Sequence, residues 1–437
     1  MPHDRAIPPL AAATAKNFFG WKVVSAAFVV AVFGWGMGFY GCSIYLYAVQ
    51  SQRGWSVGLV SAAVTVHYLL GAAVVANLPM LHRRLGLVTT TKAGAVSLAL
   101  GVGGWAVALE PWQLFAATIL SGAGWASLGG AAINAMVSPW FRRRRPAALS
   151  LAYNGASVGG IVFSPLWVIA IAALGFPVAS ALVGIVMVAT LWLLADRYLG
   201  RTPEQMGLLP DGDAPAATAS IAPASQASSL AGSRLWRNRR FLTLAAGMAI
   251  GLFAQIGLIA HLFSLLVPAL GAELAGMAAA FATVCAIAGR TLVGWLLPPG
   301  ADRRKVAATN YVVQACGCAV FILAAGTSVP LLILGVLLVG AGIGNATSLP
   351  PLIAQVEFSG ADVARAVALI TALSQAIYAF APAAFGVLRV HATAASGSSA
   401  APLFFVAAAA IQLIAAGCYL SGRRIGGARR RDPSTPR

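Results

Sequence analysis

Runs of about twenty apolar residues recur along the whole chain, and this recurrence limits the available folds more than any other feature. They fall roughly at 21–47, 57–81, 88–109, 112–138, 147–173, 176–194, 241–269, 273–297, 306–326, 329–353, 363–388 and 402–422. A helix of about 20 residues crosses a hydrocarbon core ~30 Å thick. No water lies in that core to satisfy bare backbone groups, so each run reads as a transmembrane helix. Composition agrees: 59% of the 437 residues are hydrophobic and 9% are charged, against about 25% charged in a soluble domain. The expectation is an all-α membrane protein of twelve spans, with both termini on one side.

The net charge of +18 raises the question of nucleic acid, and its distribution answers it. Basic residues cluster in short stretches between apolar runs: Arg142 to Arg145, Arg237 with Arg239 and Arg240, Arg303 to Lys305, and Arg429 to Arg431. No nucleic-acid motif accompanies them, and clusters of this kind are what the positive-inside rule produces. With cytoplasmic termini, all of the 29 Lys and Arg residues except Arg53, Arg389 and Arg290 lie on the cytoplasmic side. That orientation, in the cell (inner) membrane, is the expected one. The five cysteines lie in apolar segments without metal-ligand spacing and read as packing residues. No metal or cofactor is expected, and no nucleophile–base pair suggests an enzyme. The first apolar run is too long for a signal-peptide core.

The domain reading follows. Residues 1–20 form an N-terminal tail, 21–194 a six-helix bundle, 195–240 a hydrophilic linker, 241–422 a second six-helix bundle and 423–437 a basic tail. The linker is Ala-, Ser- and Pro-rich from Ala214 to Gly232, a composition that cannot bury a core. A shift of 218 residues lays Ser61–Gly71 over Ala279–Gly289, and Gly122 and Gly124 over Gly340 and Gly342. Pro165 matches Pro382 at 217, and Arg84 falls near Arg303 or Arg304. Two pseudo-symmetric parallel repeats are a known transporter layout.

With these residues in hand, nearly the whole chain resembles the major facilitator superfamily. The family hallmark between helices 2 and 3 reads G-x-L-x-D-R-x-G-R-R. Here it stands as Pro79-Met-Leu81-His-Arg83-Arg84-Leu-Gly86, with Leu81, Arg84 and Gly86 fitting and Arg83 in place of the Asp. The second-half copy runs from Gly294 to Lys305 with Asp302 and Arg303 displaced behind Pro298 and Pro299. The resemblance makes Arg83, Arg84, Gly86, Asp302 and Arg303 the cytoplasmic gating motifs. A solvated loop charge is the favoured reading of Asp302, with pairing to a neighbouring base as the alternative. The stretch Asn134 to Ala148, continuing through Tyr153-Asn154-Gly155 to Pro165, looks like helices 4–5 of the monocarboxylate and oxalate/formate branch. Gly54-Trp55-Ser56 and Thr202 to Gly207 fit that branch as well. Gly155-x-x-x-Gly159 reads as close helix packing, and Arg142 to Arg145 as a topology anchor at lipid headgroups.

Arg290 is the one permanent charge well inside a span, and no Asp or Glu lies mid-span. An Arg at bilayer depth costs at least about 2.5–3.5 kcal/mol, so it faces water or a counter-charge. A transported anion supplies that charge, because the planar guanidinium binds a carboxylate through two parallel hydrogen bonds. The alternative is a structural Arg snorkelling to the membrane edge. Monocarboxylate-type carriers place a substrate-binding Arg on helix 8, four residues before a Gly, as Arg290 and Gly294 stand here. The family's Asp one turn earlier is Ala286 here, and its helix 1 Lys gives way to Cys42 and Ser43. Tyr40, Ser43, Tyr153, Asn345 and Tyr378 sit in polar sets at helical spacing and are the further candidates for lining a substrate cavity. His67 and His261 are the mid-span groups that titrate near neutrality and the candidates for proton coupling, with satisfied packing histidines as the commoner alternative.

The expected function is a secondary transporter, monomeric and working by alternating access. Its solute is a small organic anion such as a monocarboxylate, bound between the halves, with a proton or counter-anion as coupling ion. An efflux pump for amphipathic drugs or metabolites is one rival, although such pumps usually carry an intramembrane Asp or Glu. A non-transporting receptor on a transporter scaffold is another.

Overall fold

A computed structural model describes residues 18–212, 235–298, 301–358, 360–396 and 401–423. The N-terminal tail before residue 18, the low-complexity part of the linker and the Arg429–Arg431 cluster lie outside the described residues.

Helices occupy all twelve apolar runs, and among the described residues there is no strand. In chain order these are α1 (Phe19–Arg53), α2 (Val57–Leu85), α3 (Leu87–Val107), α4 (Pro111–Trp140), α5 (Arg145–Leu174) and α6 (Phe176–Leu199). A 58-residue stretch, Arg239–Leu296, breaks at Gly271 (φ 74°, ψ 167°) into α7 before it and α8 after it. Then come α9 (Arg303–Ala324), α10 (Val329–Glu357), α11 (Gly360–Tyr378, continued as Ala381–Ser396) and α12 (Pro402–Ser421). Among the described residues ten stretches are long and apolar enough to cross a membrane. The broken one holds two spans, and α3 fills the remaining run. Large apolar side chains such as Leu100, Ile169, Ile185, Leu193 and Leu323 stand exposed on the helices, as a lipid-facing surface requires.

Sequence chemistry explains the ends and the breaks. At the start of α4, Glu110 and Gln113 form a reciprocal capping box with Pro111 in the first turn. Asn238 and Asp302 accept backbone N–H groups at the starts of α7 and α9. Within α1, Gly36–Tyr40 widens to a π turn. Its carbonyls serve neighbours: Trp167 Nε1 donates to Gly36 O at 3.3 Å, and His67 Nε2 lies 2.9 Å from Gly38 O. In α4 the helix is interrupted at Gly129, whose ψ of −166° is extended.

Packing clusters the chain into two units, Met1–Gly54 with Val66–Ser225 and Trp55–Thr65 with Gln226–Arg437. In the first, α1 packs along α5, and α3 lies between α4 and α6. In the second, α9 packs on α10 and α12. The half-chain repeat is visible as a shared close approach. A Cβ on Gly122 of α4 would overlap the His67 carbonyl of α2. At the equivalent place, 218 residues on, a Cβ on Gly340 of α10 would stand 2.8 Å from Ala282 O and 2.9 Å from Cys285 Cβ of α8.

Candidate functional site

Arg290 lies on α8 six residues before its end at Leu296, about 9 Å along the axis. Glycines let α8 and α10 meet there: Gly289 against Ala341, and Gly344 against Ala286 and Arg290. A Cβ on Gly344 would reach within 3.0 Å of Arg290 Nε, so the guanidinium's root rests on a bare stretch of α10. Arg290 makes no hydrogen bond or ion pair with any described residue, and its Nε is buried without a partner. The next α10 residue, Asn345, is 2% exposed. Its Nδ2 donates within the helix to Ala341 O at 3.4 Å, and its Oδ1 is left without a donor. An unpaired donor and an unpaired acceptor thus sit on neighbouring helices, which native interiors rarely tolerate without use.

Sequence reasoning missed two further amides beside this seam. Asn310 of α9 donates to Gly342 O at 3.2 Å, and the fully buried Gln314 lies against Gly342 with both amide atoms unpartnered. Their four-residue spacing, which puts both on one face of α9, was the available signal.

The remaining candidates divide between the units. Tyr378 of α11 packs against the apolar core of the second unit. In the first unit, Ser43 donates to Tyr40 O at 3.0 Å, within α1. Tyr153 of α5 donates to Gly130 O at 2.8 Å, bridging to the break in α4. Tyr40 ends the π turn with its ring edge-on to Phe39 at 5.1 Å.

The two histidines differ. His67 is 1% exposed, stacked on Trp125 at 5.7 Å. With Nε2–H donating to Gly38 O, Nδ1 accepts from the Ser121 hydroxyl at 2.8 Å, and that oxygen accepts from Trp105 Nε1 at 3.2 Å. One neutral tautomer satisfies the whole chain. His261 donates through Nε2 to Pro382 O at 3.1 Å, and its buried Nδ1 has no partner.

Two charges stand elsewhere than the sequence reading put them. Arg389, assigned to the loop after α11, lies inside the helix, because the small residues after it continue helical to Ser396. Its guanidinium donates to the hydroxyl and the carbonyl of Ser264 on α7. Asp302, favoured as a solvated loop charge, caps α9 by accepting from the N–H groups of Arg304 (3.0 Å) and Lys305 (3.2 Å) and pairs with Arg423. Burial works to raise its pKa, but the Arg423 pair and the backbone donors outweigh this and hold it below the ordinary 3.8. Arg303 donates to Leu352 O.

Beside it Arg304, 2% exposed, makes a bidentate pair with Glu357 at the end of α10 (2.6 and 2.8 Å). Its other N–H groups go to Thr243 Oγ1 (3.0 Å), Arg240 O (2.7 Å) and Tyr419 O (3.3 Å). One guanidinium therefore fastens α7, α9, α10 and α12. The hallmark residues of the first unit, Arg83, Arg84 and Gly86, are exposed, with Gly86 at φ 79° opening α3.

A family model described as Major Facilitator Superfamily matches residues 105–382, more than half of the chain. No curated protein matches it. Among solved structures, a bacterial homolog to the human lysosomal transporter Spinster, inward-facing and occupied, is similar at a TM-score of 0.66 with 13% identity, covering 92% of this chain and 96% of that one. The nucleoside transporter NupG is similar at 0.69 with 12% identity, covering 93% and 100%. Likeness at such identities is a likeness of fold.

Proposed function

The chain belongs to the major facilitator superfamily, and on that premise we propose that this secondary transporter carries a small organic anion, a monocarboxylate or related acid, with Arg290 as the group that holds it. One observation supports the reading above the rest: a guanidinium inside an apolar helix, resting on Gly344, for which the described residues supply no carboxylate. Arg304, the nearly inaccessible cation of the second unit, has Glu357 as counter-charge, and Arg389 is held by the hydroxyl and carbonyl of Ser264. The contrast supports a structural role for Arg304 and a solute-holding role for Arg290. Asn345 supplies a neighbouring acceptor for a donor on that solute, and Tyr378, Tyr40, Ser43 and Tyr153 remain proposed lining groups. Between the two histidines, His261 keeps a free ring nitrogen and His67 does not, and both remain proposed candidates for a coupling proton. The skew of Lys and Arg supports cytoplasmic termini in a cell membrane.

Ligand-induced stabilisation tests this directly, since a ligand bound only by the folded state raises the melting temperature. The purified protein is to be melted with and without millimolar acetate, lactate, formate or oxalate, beside Arg290→Ala and Arg290→Lys. The wild type gains stability with at least one acid. The Ala variant loses at least about thirtyfold in apparent affinity, and the Lys variant keeps part, having charge without the planar fork. An equal shift in wild type and Arg290→Ala removes Arg290 from the site.

A further inference from the structure

The hydrophilic segment after α6 begins as part of the first unit, and one carboxylate makes it so. Residues 204–206 and 210–212 form two short 3₁₀ turns. Asp211, 9% exposed, turns its side chain into the loop between α4 and α5. Its Oδ2 accepts from the backbone N–H groups of Arg142 (3.0 Å) and Arg143 (2.8 Å), and its Oδ1 from that of Arg144 (3.1 Å). We infer that Asp211 is a strap: it locks the start of the segment joining the two units onto the α4–α5 loop, so that the chain as far as Gly212 moves as one body with the first unit.

Three features of the loop make it a fit for one carboxylate. Residues 142–144 precede the first turn of α5 at Arg145, so their N–H groups have no helical carbonyl to meet. Successive N–H groups in such a turn form a concave anion-binding nest. The side chains of Arg142 to Arg145 are exposed, and the Arg143 charge adds to the backbone donors in favouring the Asp211 carboxylate. Arg145 bonds back to Phe141 O at 3.3 Å and Ser138 O at 3.0 Å, which holds the loop open toward the turn.

The turn is shaped for the same contact. Asp211 has φ 64°, a left-handed conformation that costs a non-glycine residue energy and that Asp tolerates better than most. Such strain persists where the surroundings over-determine it. Gly212 at φ 73° follows, and a Cβ there would stand 3.1 Å from Phe18 Cδ2. Phe18 packs edge-on to Trp140 at 6.0 Å and Phe141 at 5.6 Å. Three chain segments, at Phe18, at 138–144 and at 210–212, therefore close on one another with Asp211 as the polar centre.

The test is hydrogen exchange on the full-length protein in lipid nanodiscs, resolved at the amides of residues 142–144. In the wild type these exchange as slowly as amides inside α5; exchange as fast as in an unstructured loop overturns the strap without any variant. In Asp211→Ala, and in Asp211→Asn, where an NH₂ meets N–H donors, they speed up about tenfold or more. Trypsin cleavage within the four-arginine loop accelerates in step, while α3 and α9 keep their protection. Variants with wild-type exchange and cleavage rates also overturn it.

Discussion

At the residue scale the chain handles its buried charges in contrasting ways. The Arg304–Glu357 pair closes a network in which every donor of a nearly inaccessible guanidinium is used. Removing one partner of such a pair costs about 3–5 kcal/mol, whereas replacing both by apolar groups of similar size is often neutral. Glu357→Ala is therefore expected to lower unfolding stability in detergent by that amount, and Arg304→Met with Glu357→Leu to recover most of it. A double variant as unstable as the single one contradicts the account. Asp302 gives the acid limb. Its folded pKa lies below the ordinary 3.8, so its contribution is complete above the unfolded value and is lost as pH falls through the folded one. The melting temperature should hold from about pH 7 to 5 and fall below about 4, and Asp302→Asn should flatten part of that fall. An unchanged acid limb in the variant removes Asp302 as its source. Arg290 was legible because a cation inside an apolar run needs no partner in sequence to be noticed. The settings of Asp302, Arg304 and Asp211 were not, since their partners lie 121, 53 and 67 to 69 residues away and nothing local announces them.

At the scale of elements, glycine contacts set the helix pairs. Gly344 meets the Ala286 carbonyl and the root of Arg290, while Gly294, four residues after Arg290, faces open space. Gly344→Ala is expected to push α10 from α8 at a cost of about 1–3 kcal/mol and to weaken acid binding with it. Gly294→Ala is expected to leave stability equal or raised by up to ~1 kcal/mol, as alanine is the better helix former. Thermal denaturation of the two variants side by side checks this, and equal losses contradict it. The helices themselves were legible from apolar runs, and the break at Gly271 falls in the gap between two of them. The interruption at Gly129 and the π turn at Gly36–Tyr40 were not, because both sit inside runs whose hydropathy is continuous. What the π turn achieves, carbonyls offered to Trp167 and His67, depends on α5 and α2 arriving alongside.

At the scale of the whole molecule, the half-length repeat read from sequence corresponds to equivalent close approaches, His67 with Gly122 in one unit and Cys285 with Gly340 in the other. The repeat preserves packing and lets chemistry diverge: one unit keeps a hydrogen-bonded histidine ring, and the other an arginine without a carboxylate partner among the described residues. Family membership fixes the class of protein, and that arginine carries the proposal for its solute. Counterflow in proteoliposomes tests it most directly. Vesicles loaded with unlabelled monocarboxylates are to be diluted into trace radiolabelled acid, with wild-type protein, Arg290→Ala and Arg290→Lys reconstituted to equal density. Transient accumulation of label by the wild type, its loss in the Ala variant and a reduced trace for Lys are the predicted results; accumulation by Arg290→Ala at the wild-type rate would contradict the account.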